Sequence, residues 1–409
     1  MKVPTRRIPI RVPGFRFAGV ACGLKVSRKR DVALILSDRP AVAAGAFTTN
    51  LVRGAPVLLS SERVRRGRAQ AILVNSGNAN AYTGRRGLEV AQYMCGLVRR
   101  ELGVREEWVL PASTGRIGVQ LPRAQVGRGV VAACRSLSAD GFHYALEGMM
   151  TTDAFPKFAV EQVGVEGADV TVAGMAKGAG MIAPRMKIAV PHATLLSYVL
   201  TDARVSLPSL RQALAIGLAQ SYNSIVVDGD TSTSDTLVLL ANGAAGNREL
   251  TPRSRSFPAF AAAVTRVLCG LARMVVKDGE GATKLIDIHV RRARNVRDAE
   301  LVADAIARSP LCKAAFYGGD PYAGRVVCAA GYSGAFFDPR RLDVYLDDVC
   351  IVRRGEEIIT PALERRASAV VRKDEFALTL DLHAGSAVAH RMCSDLTVDY
   401  VRFNSDYRT

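Results

Sequence analysis

Short apolar runs that end in glycine or other turn residues alternate along the chain with segments that carry apolar residues at helical spacing. A short apolar run favours a strand, whereas apolar residues with a period near 3.6 favour a helix. The period near 3.6 holds over 87–102, which predicts an amphipathic helix. Short strands separated by tight turns are predicted for DVALILSD at 31–38, AVAAGAFTTN at 41–50 and AILV at 71–74.

The alternation of strand and helix patterns continues to the end of the chain. ATLLSYVLTDARVS predicts a strand, and the segment that follows it, LPSLRQALAIGLAQ, predicts a helix with proline in its first turn. Such alternation predicts an α/β or α+β fold in which helices cover layered sheets. Because 409 residues is long for one hydrophobic core, we expect two domains or one elaborated α/β body.

The composition is that of a globular protein, with 49% hydrophobic and 23% charged residues. No uninterrupted apolar run reaches the length of about 18 residues that a spanning helix needs, so no membrane partner is expected. The N-terminal stretch MKVPTRRIPIRVPGF is basic and contains prolines, without the apolar segment of a secretory signal. These features predict a cytoplasmic protein.

The formal net charge of +17 has two interpretations. A strongly basic chain can bind nucleic acid, but here the arginines are spread along the sequence, aromatic residues make up only 6%, and no nucleic-acid-binding motif is present. A basic, solvated surface that attracts anionic substrates such as carboxylates is therefore expected, and a nucleic-acid partner is not.

Cysteines and histidines give no pattern typical of a metal site. The eight cysteines form no C-x-x-C pair, which predicts free thiols in a chain without a secretory signal. The histidines lack ligand spacing with carboxylates or thiols, so no metal is predicted. The five are His143, His192, His289, His383 and His390.

The Ala193–Thr194 pair raises the question of nucleophilic catalysis. A threonine hydroxyl is a weak nucleophile and needs a base beside it. Cleavage of the preceding peptide bond would free the α-amino group of Thr194, whose unperturbed pKa of about 7.7–8.0 suits that role. Taken alone, an Ala-Thr pair is more often part of an ordinary strand.

Two further segments carry residue types suited to acyl transfer. In PASTGRIG, Thr114 and Gly115 lie at a turn whose backbone N–H groups could stabilise an oxyanion, although a plain strand corner has the same pattern. In KDGEGATK, Glu280 lies between two glycines and suits recognition of an amino group, or simply an exposed turn. The segment NSIVVDGDTSTSDTL lacks the register of a calcium loop.

The ordered set of segments resembles the ornithine acetyltransferase family, the bifunctional glutamate N-acetyltransferases of arginine biosynthesis, over essentially the whole chain. Each segment alone is modest, but the set in this order is specific. The segments that carry the resemblance are PGFRFAGVACGLK, DVALILSD, AILVNSGNANAYTG, PASTGRIGVQLP, MTTDAFPK, MAKGAGMIAP, ATLLSYVLTDA, NSIVVDGDTSTSDTLVLLANG, KDGEGATKLI, SPLCKAAFYGGDPYAGRV and DLTVDYVRFNSDYRT.

The resemblance implies a precursor that cuts itself between Ala193 and Thr194. The α chain would be residues 1–193, with the oxyanion turn, and the β chain 194–409, with the nucleophile Thr194 at its N-terminus and a C-terminal tail that contacts substrate. The implied fold is an αββα-type sandwich with a smaller α/β C-terminal portion, and the implied assembly is α2β2.

The resemblance also assigns site residues. Thr114 and Gly115 would stabilise the oxyanion. Charge matching further suggests that Lys177 binds the carboxylate common to both substrates and that Glu280 binds the cationic end of ornithine. The threonine of the TTD motif falls on Thr152, with Thr151 as the alternative. The substrate-binding residues implied are Thr152, Lys177, Thr194, Glu280, Asn404 and Thr409.

The implied reaction is a ping-pong transfer of an acetyl group from N-acetyl-L-ornithine to L-glutamate through acetyl-threonine. No cofactor is implied, and the partners are amino acids and N-acetyl amino acids; the sequence leaves open whether acetyl-CoA also serves as a donor. Three alternatives stay open at this point: a divergent paralogue for another amino acid, an N-terminal-nucleophile amidase, and an uncleaved, non-catalytic relative.

Three segments depart from the family pattern. RMKIAVPH, at 185–192, places about six additional residues before the cut site, and retention or loss of cleavage are both compatible with it. DPYAGR, at 320–325, lacks the family's aromatic residue, and Ala154 stands where a hydroxyl residue is common. The last two changes would reshape the acceptor pocket.

Overall fold

The structure is a computed structural model that describes residues 9–188, 195–358 and 360–406. The chain divides into two compact units. Within the described residues, unit 1 comprises 9–188, 195–223 and 230–275, and unit 2 comprises 224–229, 276–358 and 360–406. The predicted cut site at 193–194 falls between two segments of unit 1, so the predicted α and β chains do not coincide with the two units.

Sixteen strands and eleven α-helices lie in the described residues. The strands are β1 (Phe15–Val20), β2 (Val32–Thr48), β3 (Arg68–Asn78), β4 (Val109–Arg116), β5 (Lys157–Val165), β6 (Ala168–Lys177), β7 (Met186–Ile188), β8 (Leu196–Thr201), β9 (Ile225–Val226), β10 (Thr236–Ala241), β11 (Leu285–Ala293), β12 (Asp343–Leu346), β13 (Val349–Arg353), β14 (Glu356–Glu357), β15 (Glu375–Asp381) and β16 (Ala387–Ser394). The helices are α1 (Ala55–Val64), α2 (Gly84–Leu102), α3 (Arg123–Arg135), α4 (Phe142–Met149), α5 (Leu207–Gln220), α6 (Phe257–Lys277), α7 (Val296–Arg308), α8 (Pro310–Gly318), α9 (Gly324–Gly331), α10 (Pro361–Val371) and α11 (Val398–Ser405).

The long strand β2 joins the two halves of the unit 1 sheet, whose order is β4-β3-β2-β10-β8-β6-β5. Its first half pairs with β1 and its second half with β10. The prediction of two separate strands at 31–38 and 41–50 is wrong. The exposed residues 38–40 resemble a turn, but they form an irregularity between Leu36 and Ala41 that leaves the strand continuous.

Two apolar cores lie on the two faces of β2. Side chains alternate along the strand, so Ala33 and Ile35 belong to one core and Val32 and Leu34 to the other. The first core also contains side chains of β6, β8 and β10, so the two halves of the sheet face each other across it. The second core contains the buried faces of α2 and α3.

Helices α5 and α6 cover the outer face of the second half of the sheet. A side chain at Gly174 of β6 would meet Val267 and Leu271 of α6, so this helix packs closely on the strand. The layers of unit 1 are therefore helix, sheet, sheet and helix, and the predicted αββα sandwich is confirmed.

Among the described helices, α6 is the one that is long and apolar enough to cross a membrane by length and composition. Its mean hydropathy reaches 1.7 over its most apolar window, and 56% of that window is buried inside the protein. A buried core helix passes the same test, and α6 packs on β6 in this way. We therefore describe α6 as a core helix of unit 1.

Unit 2 contains a seven-stranded sheet in the order β14-β13-β12-β15-β11-β16-β9. Strand β11 lies between β15, to which it is parallel, and β16, to which it is antiparallel. Alternate residues of β11, Ile286, Ile288 and Val290, are buried, and α7 packs against β11 and β16. The predicted smaller α/β portion is confirmed as this unit.

Candidate active site

The predicted nucleophile lies at the gap before β8. Ala193 and Thr194 are outside the described residues, and Leu195, to which Thr194 is bonded, is buried. The carbonyl of Leu195 accepts a hydrogen bond from the Thr236 backbone N–H. On the other side of β8, Leu196 is paired with Lys177, the last residue of β6. The described part of the site is therefore the set of groups around the start of β8.

Lys177 and Thr114 approach each other in the interior of unit 1. Lys177 is 4% exposed and Thr114 is 2% exposed, and Lys177 Nζ donates a hydrogen bond to Thr114 Oγ1 at 3.4 Å. A hydroxyl has two acceptor lone pairs and one proton. When the ammonium group occupies one lone pair, the Thr114 proton is directed away from it, toward another acceptor.

Gly115 follows Thr114 with a backbone that only glycine accommodates. Its φ is +130°, and a Cβ there would lie 2.4 Å from the carbonyl carbon of Gly77. The ends of β3 and β4 thus approach closely at this point. Thr114 and Gly115 are the residues predicted to stabilise the oxyanion; the structure places both within β4 and not at a turn, and it places Lys177 beside Thr114.

Buried polar side chains hold β3 and β4 together just before Thr114. Ser113 Oγ donates to Asn75 Oδ1 at 2.5 Å, and Asn75 Nδ2 donates to the carbonyl of Asn78 at 2.8 Å. Both side chains are fully or almost fully buried. Asn75 and Ser113 are therefore structural, and they fix the strand ends from which Thr114 projects.

A buried carboxylate, Asp153, lies among lysines in the same region. Lys157 Nζ donates to Asp153 Oδ1 at 2.7 Å, and Lys177 Nζ lies 3.9 Å from Asp153 Oδ2. The backbone N–H groups of Thr151 and Gly178 also donate to it, at 2.8 and 2.7 Å. Burial raises the pKa of Asp153, but the two lysines outweigh it and hold this pKa well below its ordinary value.

Asp153 and Lys157 are functional-site residues that sequence reasoning missed. The TTD motif directed attention to Thr152, which is half-buried in the structure, next to Asp153. The sequence did contain a signal for this pair, because TTDAFPK carries an acid and a lysine four residues apart. One compact turn can bring two residues at that spacing into contact.

A second lysine missed by the sequence analysis, Lys25, also lies at the site. Asp31 accepts hydrogen bonds from the backbone N–H groups of residues 22–25, which fixes the loop that carries Lys25. A Cβ on Gly77 would lie 3.2 Å from Lys25 Cγ. Burial, opposed by the charge of Asp31 and assisted by that of Lys177, lowers the pKa of Lys25 to about 8. Three lysines (Lys25, Lys157 and Lys177) and two carboxylates (Asp31 and Asp153) leave this region with a net positive charge.

Glu280 and Asn404, predicted as substrate contacts, are brought together in unit 2. Asn404 Nδ2 donates to Glu280 Oε2 at 3.2 Å. Helix α11 approaches the preceding turn so closely that a Cβ on Gly281, where φ is +68°, would lie 2.5 Å from the Tyr400 backbone nitrogen. Thr397 Oγ1 also donates to the carbonyl of Gly281 at 2.7 Å. Thr409 lies outside the described residues.

The segment that departs from the family pattern, 185–192, is partly described. Its residues Met186–Ile188 form β7, which pairs antiparallel with Ala46–Thr48 at the end of β2. The side chain of Asn223 binds the backbone of Met186 twice, accepting from its N–H at 2.8 Å and donating to its carbonyl at 2.9 Å. The chain before the cut site is therefore anchored to the sheet as far as Ile188.

A group of side chains able to bind a metal ion is found in unit 2. Within the described residues, the group of this kind is Asp287, His289 and His390, on β11 and β16. The sequence spacing gave no indication of it, because His390 reaches the other two only through strand pairing.

The family model described as the ArgJ family matches residues 16–409, almost the whole chain. The chain belongs to the ArgJ family. A relative named arginine biosynthesis bifunctional protein ArgJ, from Symbiobacterium thermophilum, is 47% identical over 398 residues, which is 97% of both chains. A second relative with the same name, from Geobacter sulfurreducens, is 45% identical. The match covers 97% of this chain and 100% of that relative.

Among solved structures, an ornithine acetyltransferase from Mycobacterium tuberculosis, complexed with ornithine, is 36% identical. The structural match covers 43% of this chain and 96% of the Mycobacterium chain, with a TM-score of 0.39. The resemblance to the ornithine acetyltransferases that the ordered segments indicated is confirmed by the ArgJ family match and by the two full-length relatives.

Proposed function

We propose that this ArgJ-family chain transfers an acetyl group from N-acetyl-L-ornithine to L-glutamate, through an acetyl-threonine intermediate on Thr194. The chain is an acyltransferase of arginine biosynthesis, as its full-length relatives are named for that pathway. Its substrates are amino acids and N-acetyl amino acids. The observation that carries the proposal is the convergence of Thr114, Gly115 and Lys177 around the start of β8.

The first half of the reaction forms the acetyl-enzyme. Once the bond before Thr194 is cut, its α-amine takes the hydroxyl proton as the oxygen attacks the acetyl carbonyl of N-acetylornithine. Negative charge that develops on the carbonyl oxygen is stabilised by the Thr114 hydroxyl and the Gly115 N–H. The carbon–nitrogen bond then breaks, and the α-amine returns the proton to the departing amino group of ornithine.

The second half reverses these steps with glutamate. The neutral amino group of glutamate attacks the acetyl-threonine carbonyl, the same two donors stabilise the oxyanion, and the Thr194 oxygen leaves with the proton. Excess positive charge from Lys25, Lys157 and Lys177 favours a substrate carboxylate, which both N-acetylornithine and glutamate carry. We assign carboxylate binding to Lys177, and to Glu280 the binding of the cationic end of ornithine.

Several finer features belong to the same proposal. The cut between Ala193 and Thr194 yields an α chain of 1–193 and a β chain of 194–409, and two copies of each form an α2β2 assembly in the cytoplasm. No cofactor takes part, and acetyl-CoA, where it serves, acts as a substrate. Thr152 and Thr409 complete the proposed substrate contacts.

A product assay tests the reaction. Purified protein is incubated with N-acetylornithine and isotopically labelled glutamate, and the products are separated by mass spectrometry. Labelled N-acetylglutamate formed in equal amounts with ornithine is the expected result. Ornithine formed together with free acetate, at a rate that does not depend on glutamate, would instead identify an amidase.

A further inference from the structure

The unit 2 sheet carries two histidines and an aspartate on one accessible face. Asp287 and His289 are two residues apart on β11, so their side chains project from the same face. His390 on β16 is paired directly opposite His289. All three side chains are partly exposed, at 29% for Asp287, 46% for His289 and 35% for His390. An ion could reach them from solvent.

The three side chains converge on one point. The rings of His289 and His390 are stacked, with centroids 5.0 Å apart and planes inclined by 29°. The Nε2 atom of His390 is hydrogen-bonded to Asp287 Oδ1, and that of His289 lies 3.5 Å from the same oxygen. The three candidate ligand atoms lie within 4.8 Å of one another. Strand pairing fixes the backbones of β11 and β16, and the three side chains already point toward one another. Metal binding would therefore order only these side chains.

The charge around the group favours a cation despite the basic chain. Asp287 supplies a carboxylate, and its Oδ1 is the atom that the Nε2 atoms of both histidines approach. The nearest arginine on the same face of β11, Arg291, is directed elsewhere and donates to Asp381 Oδ2 at 2.6 Å.

We propose that Asp287, His289 and His390 bind one divalent cation of the zinc class, with water in the remaining coordination positions. Imidazole nitrogen favours zinc, nickel and copper over magnesium and calcium. Zinc–nitrogen and zinc–oxygen bonds of about 2.1 Å require ligand atoms no more than about 4 Å apart. Binding would therefore require the partly exposed rings of His289 and His390 to rotate until their ligand atoms meet this limit. The bound ion would link β11 to β16 and stabilise the sheet, independently of acetyl transfer.

The test is a calorimetric titration of the untagged full-length chain with zinc chloride and, separately, with magnesium chloride. Cys328 is an exposed thiol that could bind zinc, so the titrations use a Cys328→Ser background. We expect one zinc site per chain and no comparable magnesium binding. His289→Gln and His390→Gln should each lower zinc affinity at least about tenfold. Zinc should also raise the melting temperature of the parent but not that of these two variants.

His383→Gln is the matched control. His383 Nε2 also lies beside carboxylates, 2.9 Å from Asp343 Oδ2 and 3.5 Å from Asp381 Oδ1, but Arg292 already donates to Asp381. Zinc affinity should therefore be unchanged in this variant. Parent protein that binds no zinc at millimolar concentration, or that binds it equally in all four proteins, would overturn the proposal. Acetyl transfer measured with chelator present reports on the proposed function separately.

Discussion

Lys177 Nζ lies 3.4 Å from Thr114 Oγ1 in the interior of unit 1, although the two residues are 63 positions apart in the chain. They belong to opposite halves of the sheet, which face each other across the first core. The contact orients the threonine hydroxyl and places a positive charge beside a proposed oxyanion donor. The side chain proposed to bind the substrate carboxylate and a side chain proposed to stabilise the oxyanion therefore form one buried pair.

The Thr114 hydroxyl is tested by Thr114→Val, which keeps the shape of the side chain and removes the donor. Loss of one oxyanion donor lowers kcat by about 100-fold or more, with a small change in KM. Steady-state kinetics, normalised to the fraction of processed chain, measure the effect. Thr114→Ser keeps the hydroxyl and should stay near the parent. Equal kcat in the valine and serine variants would remove Thr114 from the oxyanion role.

The close approach at Gly115 is tested by comparison with another glycine of positive φ. Gly115→Ala would force a Cβ against Gly77 and is expected to cost about 3 kcal/mol or more in unfolding free energy. Gly118→Ala also has a positive φ, +80°, but meets nothing within 4 Å, so only the backbone strain of about 1 kcal/mol remains. Urea denaturation compares the two, and similar losses would show that packing at Gly77 is unimportant.

The buried pair Asp153–Lys157 is tested by a double-mutant cycle. Asp153→Asn leaves a buried ammonium without its counter-charge and should cost about 3–5 kcal/mol, whereas Asp153→Asn combined with Lys157→Met should recover part of that loss. Urea denaturation of the four proteins measures the cycle. Additive losses would indicate that the two side chains do not interact.

The same pair predicts a pH dependence. The pKa of Asp153 is lowered in the folded chain, so its stabilisation is complete above the ordinary carboxyl range and is lost as pH falls below that range. The stability difference between parent and Asp153→Asn should therefore shrink in acid. A difference that stays constant down to the acid transition would contradict this.

The titration of Lys25 predicts weaker substrate binding at alkaline pH. Because burial lowers its pKa to about 8, the folded chain loses this positive charge as pH passes that value. KM for N-acetylornithine should rise above about pH 8 in the parent. Lys25→Arg keeps its charge and should show a smaller rise, while Lys29→Met, at an exposed neighbouring lysine, should match the parent. Parent and Lys25→Arg profiles that coincide would exclude Lys25 from carboxylate binding.

Features encoded locally were predictable from the sequence. The apolar period that predicted a helix at 87–102 corresponds to α2, Gly84–Leu102, and ordered motifs gave the family and the layered fold. Thr114 and Gly115 were found because a glycine follows an apolar run and because the segment matches the family, although the structure keeps both residues within β4. Glu280 and Asn404 came from the family resemblance, and the structure places them in contact.

Features that depend on contacts between distant segments were not predictable. Lys25, Lys157 and Lys177 have little in common locally, and only the folded sheet brings their charges to one region. The continuous strand β2 was divided in two because Asp38 and Pro40 are turn residues, and the pairing that carries the strand through them involves partners far along the chain. His390 likewise lies beside His289 only because β16 pairs with β11.

Intact mass spectrometry of the purified chain, before and after brief incubation with N-acetylornithine, tests the central claim most directly. We predict two polypeptides divided between Ala193 and Thr194, with an acetyl group added to the second one only. Thr194→Ser should still divide and carry the acetyl group, and Thr194→Ala should stay as one chain without activity. A parent protein that remains one continuous polypeptide and still transfers acetyl groups would contradict the account.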